Sequence, residues 1–225
     1  MPAGHGGPAR AILVRMATHA DAALRSRLVD AALDLFARRG VDGTRVEEIE
    51  AAAGVAPGRG AFADHFTAKE ETLAVAIDRH AASLDDMAAL LHRGPLAPDL
   101  RTELAMLARW VIAEHHREDR LLRVLQRDRD RFPALVARVH DEIVERGYRE
   151  AAAWLARRIA DGGFRRYDAE AVAVVALGSL VAYDAQRALL GAPPLGVDED
   201  RFVETWVEAW LRVAHTAEVE RAGAG

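Results

Sequence analysis

The chain has 225 residues, of which 51% are hydrophobic and 29% charged, so enough apolar surface is available for a core and global disorder is excluded. It contains no cysteine, which excludes disulfides and thiolate metal sites. The net charge of −5 argues against a protein that coats nucleic acid indiscriminately, although a small local face could still bind DNA.

The amino-terminal part is predicted to hold a tail and a first helix. Residues 1–20 are rich in Gly, Ala, Pro and His without a sustained hydrophobic period, which predicts a flexible tail. From Leu24 onward, apolar residues recur at helical spacing. Two arginines followed by Gly40 predict the end of this helix.

Two capping boxes predict the starts of the next helices. Thr44 and Glu47 have the T-x-x-E spacing that opens a helix, and Gly54 is expected to end this short second helix. Thr67 and Glu70 repeat the spacing and predict the start of a long third helix.

The rest of the chain is predicted to be a series of helices separated by glycine and proline. Gly94, Pro95 and Pro98 give the clearest linker signal, and Asp168 is the expected N-cap of a helix of mostly small and aliphatic residues. No segment alternates convincingly with the period of a strand, so the fold class is predicted to be all-α. The predicted domains are a helix-turn-helix DNA-binding domain over 21–80, a helical ligand-binding and dimerisation domain over 81–218, and a tail over 219–225.

The stretch GVAPGRGAFADHF, residues 54–66, allows two interpretations. Gly58, Gly60 and Ala63 fit G-x-G-x-x-A, a pattern that cradles phosphate when it follows a strand and opens a helix. Here a short, glutamate-rich helix precedes it and no strand follows, so the phosphate-loop interpretation fails. The alternative is the turn and second helix of a helix-turn-helix, which the three closely spaced predicted helices favour.

Matches to one family are spread over about residues 22–75. They lie in RSRLVDAALDLFARRGVDGTRVEEIEAAAGV and RGAFADHFTAKEETL, at Ala32, Leu35, Phe36, Gly40, Thr44, Val46, Ile49, Ala53, Gly54, Val55, Phe66, Lys69 and Glu70. This segment resembles the DNA-binding domain of tetracycline-repressor-like (TetR family) transcription regulators. The resemblance implies a homodimer that binds a palindromic double-stranded DNA operator and is controlled by a small-molecule effector.

The resemblance also implies which residues contact DNA. The recognition helix would run from Arg59 to His65, and Arg59 would read guanine because a guanidinium can donate to O6 and N7 in the major groove. Ala61 would contact a thymine methyl group, whereas Thr44 and Lys69, the only lysine in the chain, would hold phosphates. The predicted DNA-binding set is Thr44, Arg45, Arg59, Gly60, Ala61, His65 and Lys69.

Two departures from the family pattern and two alternatives accompany this set. Ala63 stands where the family usually has a tyrosine that contacts the DNA backbone, and Pro57 and Gly58 lengthen the turn before the recognition helix by two residues. Arg59 could instead occupy a solvated face, and Thr44 could act as an N-cap alone.

Residues beyond about 85 supply candidates for an effector pocket and a dimer interface. Polar or aromatic residues on otherwise apolar helices are typical of small-molecule sites, and here they are Trp110, Glu114, His115, Trp154 and Tyr183. A face of small residues with two tryptophans predicts a four-helix dimer interface, formed by Ala171, Val175, Gly178, Ala182, Trp206 and Trp210. The alternative is that this face is buried within one chain.

No motif supports catalysis. The sequence has no G-x-S-x-G, no H-E-x-x-H and no E-x-x-H pair, and the only metal-like spacing noted is that of His115 and Asp119. We therefore expect neither an enzyme nor a bound metal or cofactor. No apolar run reaches the ~18 residues of a membrane helix, and a cytoplasmic location is expected.

The favoured function is thus a ligand-responsive transcriptional repressor. Residues 21–80 nevertheless contain 8 basic and 11 acidic side chains. Because phosphate neutralisation dominates affinity for DNA, this excess of acid leaves an alternative open. The alternative is a helical small-molecule-binding or interaction dimer that reads DNA weakly or no longer reads it.

Overall fold

Helices are the only regular secondary structure in the part of the chain that the structure describes. The computed structural model describes residues 8–56, 60–162, 164 and 166–222, with side chains described between 19 and 214. The elements in chain order are α1 (Pro8–Arg39), α2 (Val46–Ala52), α3 (Glu71–Arg93), α4 (Leu100–Arg127), α5 (Pro133–Arg138), a π-helical segment (Val139–Val144), α6 (Glu145–Ala160), α7 (Ala169–Leu190), a 3₁₀ turn (Pro194–Gly196) and α8 (Glu199–Ala222). No strand occurs in the described residues, and the all-α prediction is confirmed.

The two predicted tails are largely helical. α1 begins at Pro8 and α8 extends to Ala222, so the prediction of a tail over 1–20 is wrong from Pro8 onward. Proline is favoured in the first turn of a helix, and the alanine, leucine and arginine that follow have high helix propensity. The predicted tail over 219–225 is likewise helical as far as Ala222. Residues 1–7 and 223–225 lie outside the described part of the chain.

The chain divides into two compact units. The first contains the residues up to Ala76 together with Arg120–Leu135, and the second contains Ile77–Asp119 together with the residues from Val136 onward. The sequence-based division at 80/81 assigned Arg120–Leu135 to the second domain. Three contacts within the first unit account for the difference: Arg120 with Asp34 at 2.9 Å, Arg131 with Glu70 at 2.9 Å, and Arg127 Nη1 with the Phe36 carbonyl at 3.4 Å.

In both predicted capping boxes the glutamate that makes the bond is displaced by one residue. The N-cap of α2 is Arg45, whose backbone N–H donates to the Glu48 carboxylate at 3.0 Å, so Thr44 is not the cap. α3 begins at Glu71, whose carboxylate accepts the Thr67 backbone N–H at 2.9 Å and also pairs with the Thr67 hydroxyl. In each case a second glutamate directly follows the one predicted. Helix register therefore selects the cap.

The core of the first unit joins α1, α2, the segment before α3 and the start of α3. It includes apolar side chains that are at most 3% exposed, among them Leu28, Ala32, Phe36, Ile49, Phe62, Phe66 and Leu73. Phe62 and Phe66 lie with ring centroids 5.1 Å apart, as expected for the core role predicted for both. These two rings anchor residues 60–66 to the unit.

The core of the second unit joins α4, α7 and α8. It contains Leu104, Ala108, Ile112, Leu180, Tyr183, Val203, Val207 and Leu211. Asp168 caps α7 as predicted, because its Oδ1 accepts the backbone N–H groups of Glu170 and Ala171 at 3.1 Å. α7 ends at Gly191, which adopts the left-handed conformation at φ 72° that glycine occupies without strain.

Candidate nucleic-acid interface

The segment expected to be the recognition helix is an irregular turn. Residues 61–65 form turns, with the Asp64 N–H bonded to the Gly60 carbonyl at 3.1 Å and the Phe66 N–H to the Phe62 carbonyl at 2.8 Å. Gly60 has φ 73°, a left-handed conformation that cannot continue a regular helix. The prediction of a helix over 59–65 is therefore wrong for residues 60–65. Pro57, Gly58 and Arg59 lie outside the described residues.

We refer to residues 60–66 as the reader turn. A buried carboxylate on α2 holds it in place: Glu50 is 2% exposed, and its Oε1 accepts the Phe62 N–H at 2.9 Å. Glu50 was not among the residues predicted from the sequence. Its signal is a glutamate at helical spacing from apolar Val46 and Ala53, on the face of α2 that turns toward the core.

Two arginines of α1, also not predicted, join α1 to the neighbouring segments. Arg27 Nε donates to the Ala53 carbonyl at 3.1 Å, where α2 ends, and the Arg25 guanidinium lies 5.1 Å from the centroid of the Phe66 ring. An arginine over an aromatic face is attracted by the ring quadrupole. The end of α2 and the end of the reader turn are therefore both fixed to α1.

His65 is packed inside the unit. Only 7% of its side chain is exposed, and its Nε2 lies 3.6 Å from Asp21 Oδ1 on α1. This placement differs from the predicted DNA contact, because an enclosed ring does not reach a base edge in a groove. The turn places the His65 ring beside the buried Phe66 ring, with the two ring centroids 6.3 Å apart.

The structure brings Thr44 and Lys69 together, as the resemblance implies, but through internal bonds. Lys69 Nζ donates to the carbonyl oxygens of Val41 and Thr44, each at 2.7 Å. The Thr44 side chain is buried, and its hydroxyl donates to the Gly40 carbonyl at 2.9 Å. The ammonium therefore stabilises the loop before α2, which limits how freely it and the hydroxyl can turn toward a phosphate.

Arg45, a member of the predicted DNA-binding set, has an exposed side chain. Its side chain is 78% exposed, and its Nη2 lies 3.8 Å from Glu48, which also binds Arg39 at 2.8 Å. The backbone hydrogen bond from Arg45 and the Arg39 guanidinium lower the pKa of Glu48. Gly60 is exposed and Ala61 half-buried. The face thus combines exposed arginines with a neighbouring carboxylate.

The five residues predicted for an effector pocket lie in separate surroundings. Trp154 and Tyr183 adjoin the core of the second unit, where Trp154 Nε1 donates to Glu103 at 3.3 Å. Tyr183 stacks on Phe202 at 4.0 Å and donates to the Val197 carbonyl at 3.0 Å. Trp110 is half-buried. Of this predicted set, Tyr183 is the member that lines the cavity described below.

His115 is paired with a buried aspartate. Its Nδ1 lies 2.9 Å from Asp184 Oδ2, and Arg187 Nη2 donates to Oδ1 of the same carboxylate at 2.6 Å. Asp184 is fully buried. Burial alone raises the pKa of Asp184, but the bonds from His115 and Arg187 outweigh it and the pKa is lowered. His115 thus bonds across to α7, which differs from the metal pair with Asp119 that its spacing suggested.

Glu114 belongs to a second buried cluster, with His80 and Glu118. His80 Nδ1 lies 2.9 Å from Glu114 Oε1, its Nε2 pairs with Glu118, and Glu114 also pairs with Arg117. Burial, followed by the charges of Arg117 and Arg79, lowers the pKa of His80 to about 3. His80 and Glu118 were not predicted from the sequence, because they lie on different helices and meet only in the folded chain.

α7 exposes an apolar surface that matches most of the predicted dimer interface. Ala171, Val175 and Ala182 are exposed and Gly178 is half-buried, so these residues do not form a face buried within one chain. We call the exposed apolar residues of this helix the α7 surface; it comprises Ala171, Val174, Val175, Ala182, Leu189 and Leu190. Val175 is 64% exposed and Leu189 82%.

The two predicted tryptophans lie beside the α7 surface. Trp206 Nε1 donates to Ser179 Oγ at 3.0 Å, and the rings of Trp206 and Trp210 are 5.8 Å apart. A shallow cavity of about 290 Å³ lies at the same helix, lined by Ser179, Ala182, Tyr183, Gln186, Pro194, Leu195, Val197 and Phe202. By length and composition α7 could also cross a membrane, but the core helix of a soluble protein passes the same test.

Comparison with known proteins agrees with the family resemblance. The sequence model described as bacterial regulatory proteins, tetR family, matches residues 28–76, which lie within the first unit. No curated protein matches the chain.

Several solved structures share the fold. A protein from Mesorhizobium loti MAFF303099 that is assigned to the TetR-family transcriptional regulators is 24% identical, with coverage of 86% of this chain and 97% of that chain and a TM-score of 0.62. The fatty acid degradation regulator FadR from Bacillus halodurans is 18% identical, with coverage of 83% and 94% and a TM-score of 0.60. Salmonella enterica GusR is 19% identical, with coverage of 85% and 95% and a TM-score of 0.58. The likeness extends over both units and shows the fold.

Proposed function

Because residues 28–76 match the sequence model of bacterial regulatory proteins of the tetR family, we propose that this protein is a dimeric transcriptional repressor that binds a palindromic operator and is released by a small molecule. The observation that carries the proposal is the family match itself, on a segment whose apolar residues form the core of the first unit. The family and the fold support a DNA-binding regulator of transcription. The repressor role, the dimer and the effector are the proposed part.

The DNA-binding face would combine α2 and the reader turn. Arg45 is exposed at the start of α2, and Gly60 and Ala63 are exposed on the reader turn. Arg59, directly before the turn, is the proposed base-reading residue, with Arg45 and the loop held by Lys69 as phosphate contacts. His65 is left out of this face because its side chain is enclosed.

The proposed dimer would form through the α7 surface. Exposed valines and leucines along one helix are costly in water, and burial against a second copy would remove that cost. Two copies of α7 and α8 related by a two-fold axis would make a four-helix interface. The cavity beside Tyr183 lies at this surface and would be covered in the dimer.

Effector control would follow from the geometry of a two-fold operator. Half-sites read by such dimers lie about 34–36 Å apart, so both DNA-binding faces dock together only at one separation. An effector bound in the second unit, near Trp154 or Tyr183, would release DNA by favouring a different separation. For this, the effector must bind the DNA-free conformation of the dimer more tightly than the DNA-bound conformation.

Fluorescence anisotropy against the DNA upstream of the protein's own gene tests the proposal, with a scrambled duplex of equal length as control. We expect nanomolar binding to the upstream DNA and a dissociation constant that rises steeply with salt. Arg59→Ala should weaken specific binding by about 1–3 kcal/mol. Arg45→Ala should weaken the binding of both duplexes equally. It should also reduce the dependence of affinity on salt by the amount expected for about one phosphate contact.

Arg157→Ala is the matched control, because Arg157 is an exposed arginine of α6 in the second unit. It should leave both affinities unchanged. Equal and weak binding of the upstream and scrambled duplexes at low salt would contradict the proposal for this operator.

A second function is favoured by the reader turn itself. The turn is not a regular helix, Ala63 replaces the usual tyrosine, and Asp64 is exposed where DNA would approach. These features fit a helical dimer that binds a small molecule or a protein and reads DNA weakly. A stable dimer in sedimentation with no specific DNA binding at any salt concentration would select this function.

A further inference from the structure

The second unit contains a buried histidine between two carboxylates. His80 lies on α3 and is 7% exposed, whereas Glu114 and Glu118 lie one turn apart on α4, with side chains 6% and 12% exposed. Each residue places one possible ligand atom within 4.8 Å of the other two. This inference concerns the second unit alone and does not depend on whether the protein binds DNA.

The hydrogen bonds within this cluster account for only one ring nitrogen of His80. His80 Nδ1 lies 2.9 Å from Glu114 Oε1, and the other oxygen of Glu114 pairs with Arg117. His80 Nε2 is buried in direct contact with the Glu118 carboxylate, but within the described residues this contact lacks the geometry of a hydrogen bond. A neutral imidazole has a single N–H, so when Nδ1 donates to Glu114, the lone pair of Nε2 faces a carboxylate.

A cation between Nε2 and Glu118 would remove this conflict, because both atoms could then donate electron pairs to it. We propose that His80 Nε2 and the Glu118 carboxylate bind a divalent first-row transition-metal ion, with Glu114 orienting the ring from its other nitrogen. A carboxylate that accepts the N–H of a metal-binding histidine fixes the tautomer and orientation of the ring. Water would complete the coordination.

The ligand chemistry selects the class of ion. One imidazole nitrogen with a carboxylate suits Zn²⁺, Mn²⁺ and related ions, whereas Mg²⁺ and Ca²⁺ prefer sites made of oxygen alone. The ion would connect α3 to α4 within the second unit. Its binding would therefore stabilise the folded chain in proportion to its concentration.

Zinc titration of the full-length, chelator-treated protein tests this proposal, with a chromogenic zinc indicator as competitor. We expect one saturable zinc site in the wild type. His80→Gln and Glu118→Gln each remove a ligand and should lower the zinc affinity by more than about 100-fold. Glu114→Gln should reduce the affinity by about 10–100-fold, the usual effect of a residue that orients a metal ligand. A large excess of Mg²⁺ should not displace the zinc.

His92→Gln is the matched control, since His92 lies on the same helix and pairs with Glu150 at an exposed position. It should leave the site intact. Circular dichroism establishes whether each variant is folded. If His80→Gln does not fold, Glu118→Gln, which changes a more exposed side chain, tests the proposal instead. Zinc should also raise the melting temperature of the wild type and of His92→Gln but not of Glu118→Gln. No saturable site in the wild type, or equal zinc affinity in the wild type and Glu118→Gln, would overturn the proposal.

Discussion

Glu50 shows how one buried carboxylate determines the shape of a candidate DNA-binding face. Its Oε1 accepts the Phe62 N–H at 2.9 Å in a site that is 2% exposed. A buried N–H without an acceptor costs far more than an exposed one, because water cannot replace the lost bond. The position of the reader turn therefore depends on a residue that is enclosed by protein.

Glu50→Ala is expected to destabilise the protein by about 1–3 kcal/mol, since it leaves the Phe62 N–H without this acceptor. Glu50→Gln retains an acceptor oxygen and should cost less. Urea unfolding followed by circular dichroism measures both changes. Glu47→Ala, at an exposed position on the same helix, should change the free energy of unfolding by less than about 0.5 kcal/mol. Equal losses in Glu50→Ala and Glu47→Ala would contradict this account.

Asp184 makes stability depend on pH at the acid end. His115 and Arg187 hold its pKa below the ordinary value of 3.8 in the folded state. Because the pKa of Asp184 is lower in the folded state, its ionised carboxylate contributes to the free energy of unfolding at pH values above the pKa of the unfolded state. This contribution is lost as the pH falls through the pKa of the folded state.

Asp184→Asn should therefore lower the free energy of unfolding at pH 7 by about 1–3 kcal/mol, because a charge-assisted set of bonds is weakened. The difference from the wild type should shrink as the pH falls below about 4. Urea unfolding at several pH values measures this. Asp86→Asn, on an exposed part of α3, is the control and should show no such trend. A difference that is constant with pH would refute the role of the charge.

At the scale of elements, the α7 surface has the clearest consequence. Val175→Arg places a charge at a position that is 64% exposed in one chain and would be enclosed in the proposed dimer. We expect sedimentation to show a mass near the 24.5 kDa of one chain for this variant and twice that mass for the wild type. Ala153→Arg, also exposed but on α6, should remain a dimer. A monomeric wild type at micromolar concentration would rule out this interface.

The sequence predicted the type of the elements better than their ends. Long amphipathic helices were recognisable because the hydrophobic period is repeated over many turns. In both capping boxes the glutamate that makes the bond was displaced by one residue because Glu47 is followed by Glu48, and Glu70 by Glu71, and only the helix register selects between neighbours. The irregular reader turn depends on the backbone conformation of Gly60, which spacing does not reveal.

The candidate sites were harder to predict because they combine residues that are distant in the chain. His80 follows Ile77 and precedes Leu84 at helical spacing, which by pattern alone indicates a core residue. Its partners lie 34 and 38 positions later, on another helix. Pairing of this kind requires the tertiary packing of α3 and α4. Asp184 and His115, 69 positions apart, became partners for the same reason.

At the scale of the whole molecule, a two-fold dimer predicts a strict operator geometry. Insertion of about 5 base pairs between the half-sites rotates one relative to the other by about half a helical turn, so only one DNA-binding face can dock. We expect this insertion to abolish high-affinity binding in the anisotropy assay. Replacement of the central base pairs without a change in length should alter the affinity only a few-fold. Full affinity for the lengthened operator would show that the two faces bind independently.

Lys69 has a practical consequence for such measurements. It is the only lysine in the chain, and its ammonium bonds the carbonyl oxygens of Val41 and Thr44 beside the proposed DNA-binding face. Amine-reactive dyes and sensor surfaces therefore find a single side-chain target. Acylation of that nitrogen would remove its positive charge and two of its donors. Coupling the protein through its amines would damage the property under study, whereas attachment at the carboxy terminus would leave this nitrogen unmodified.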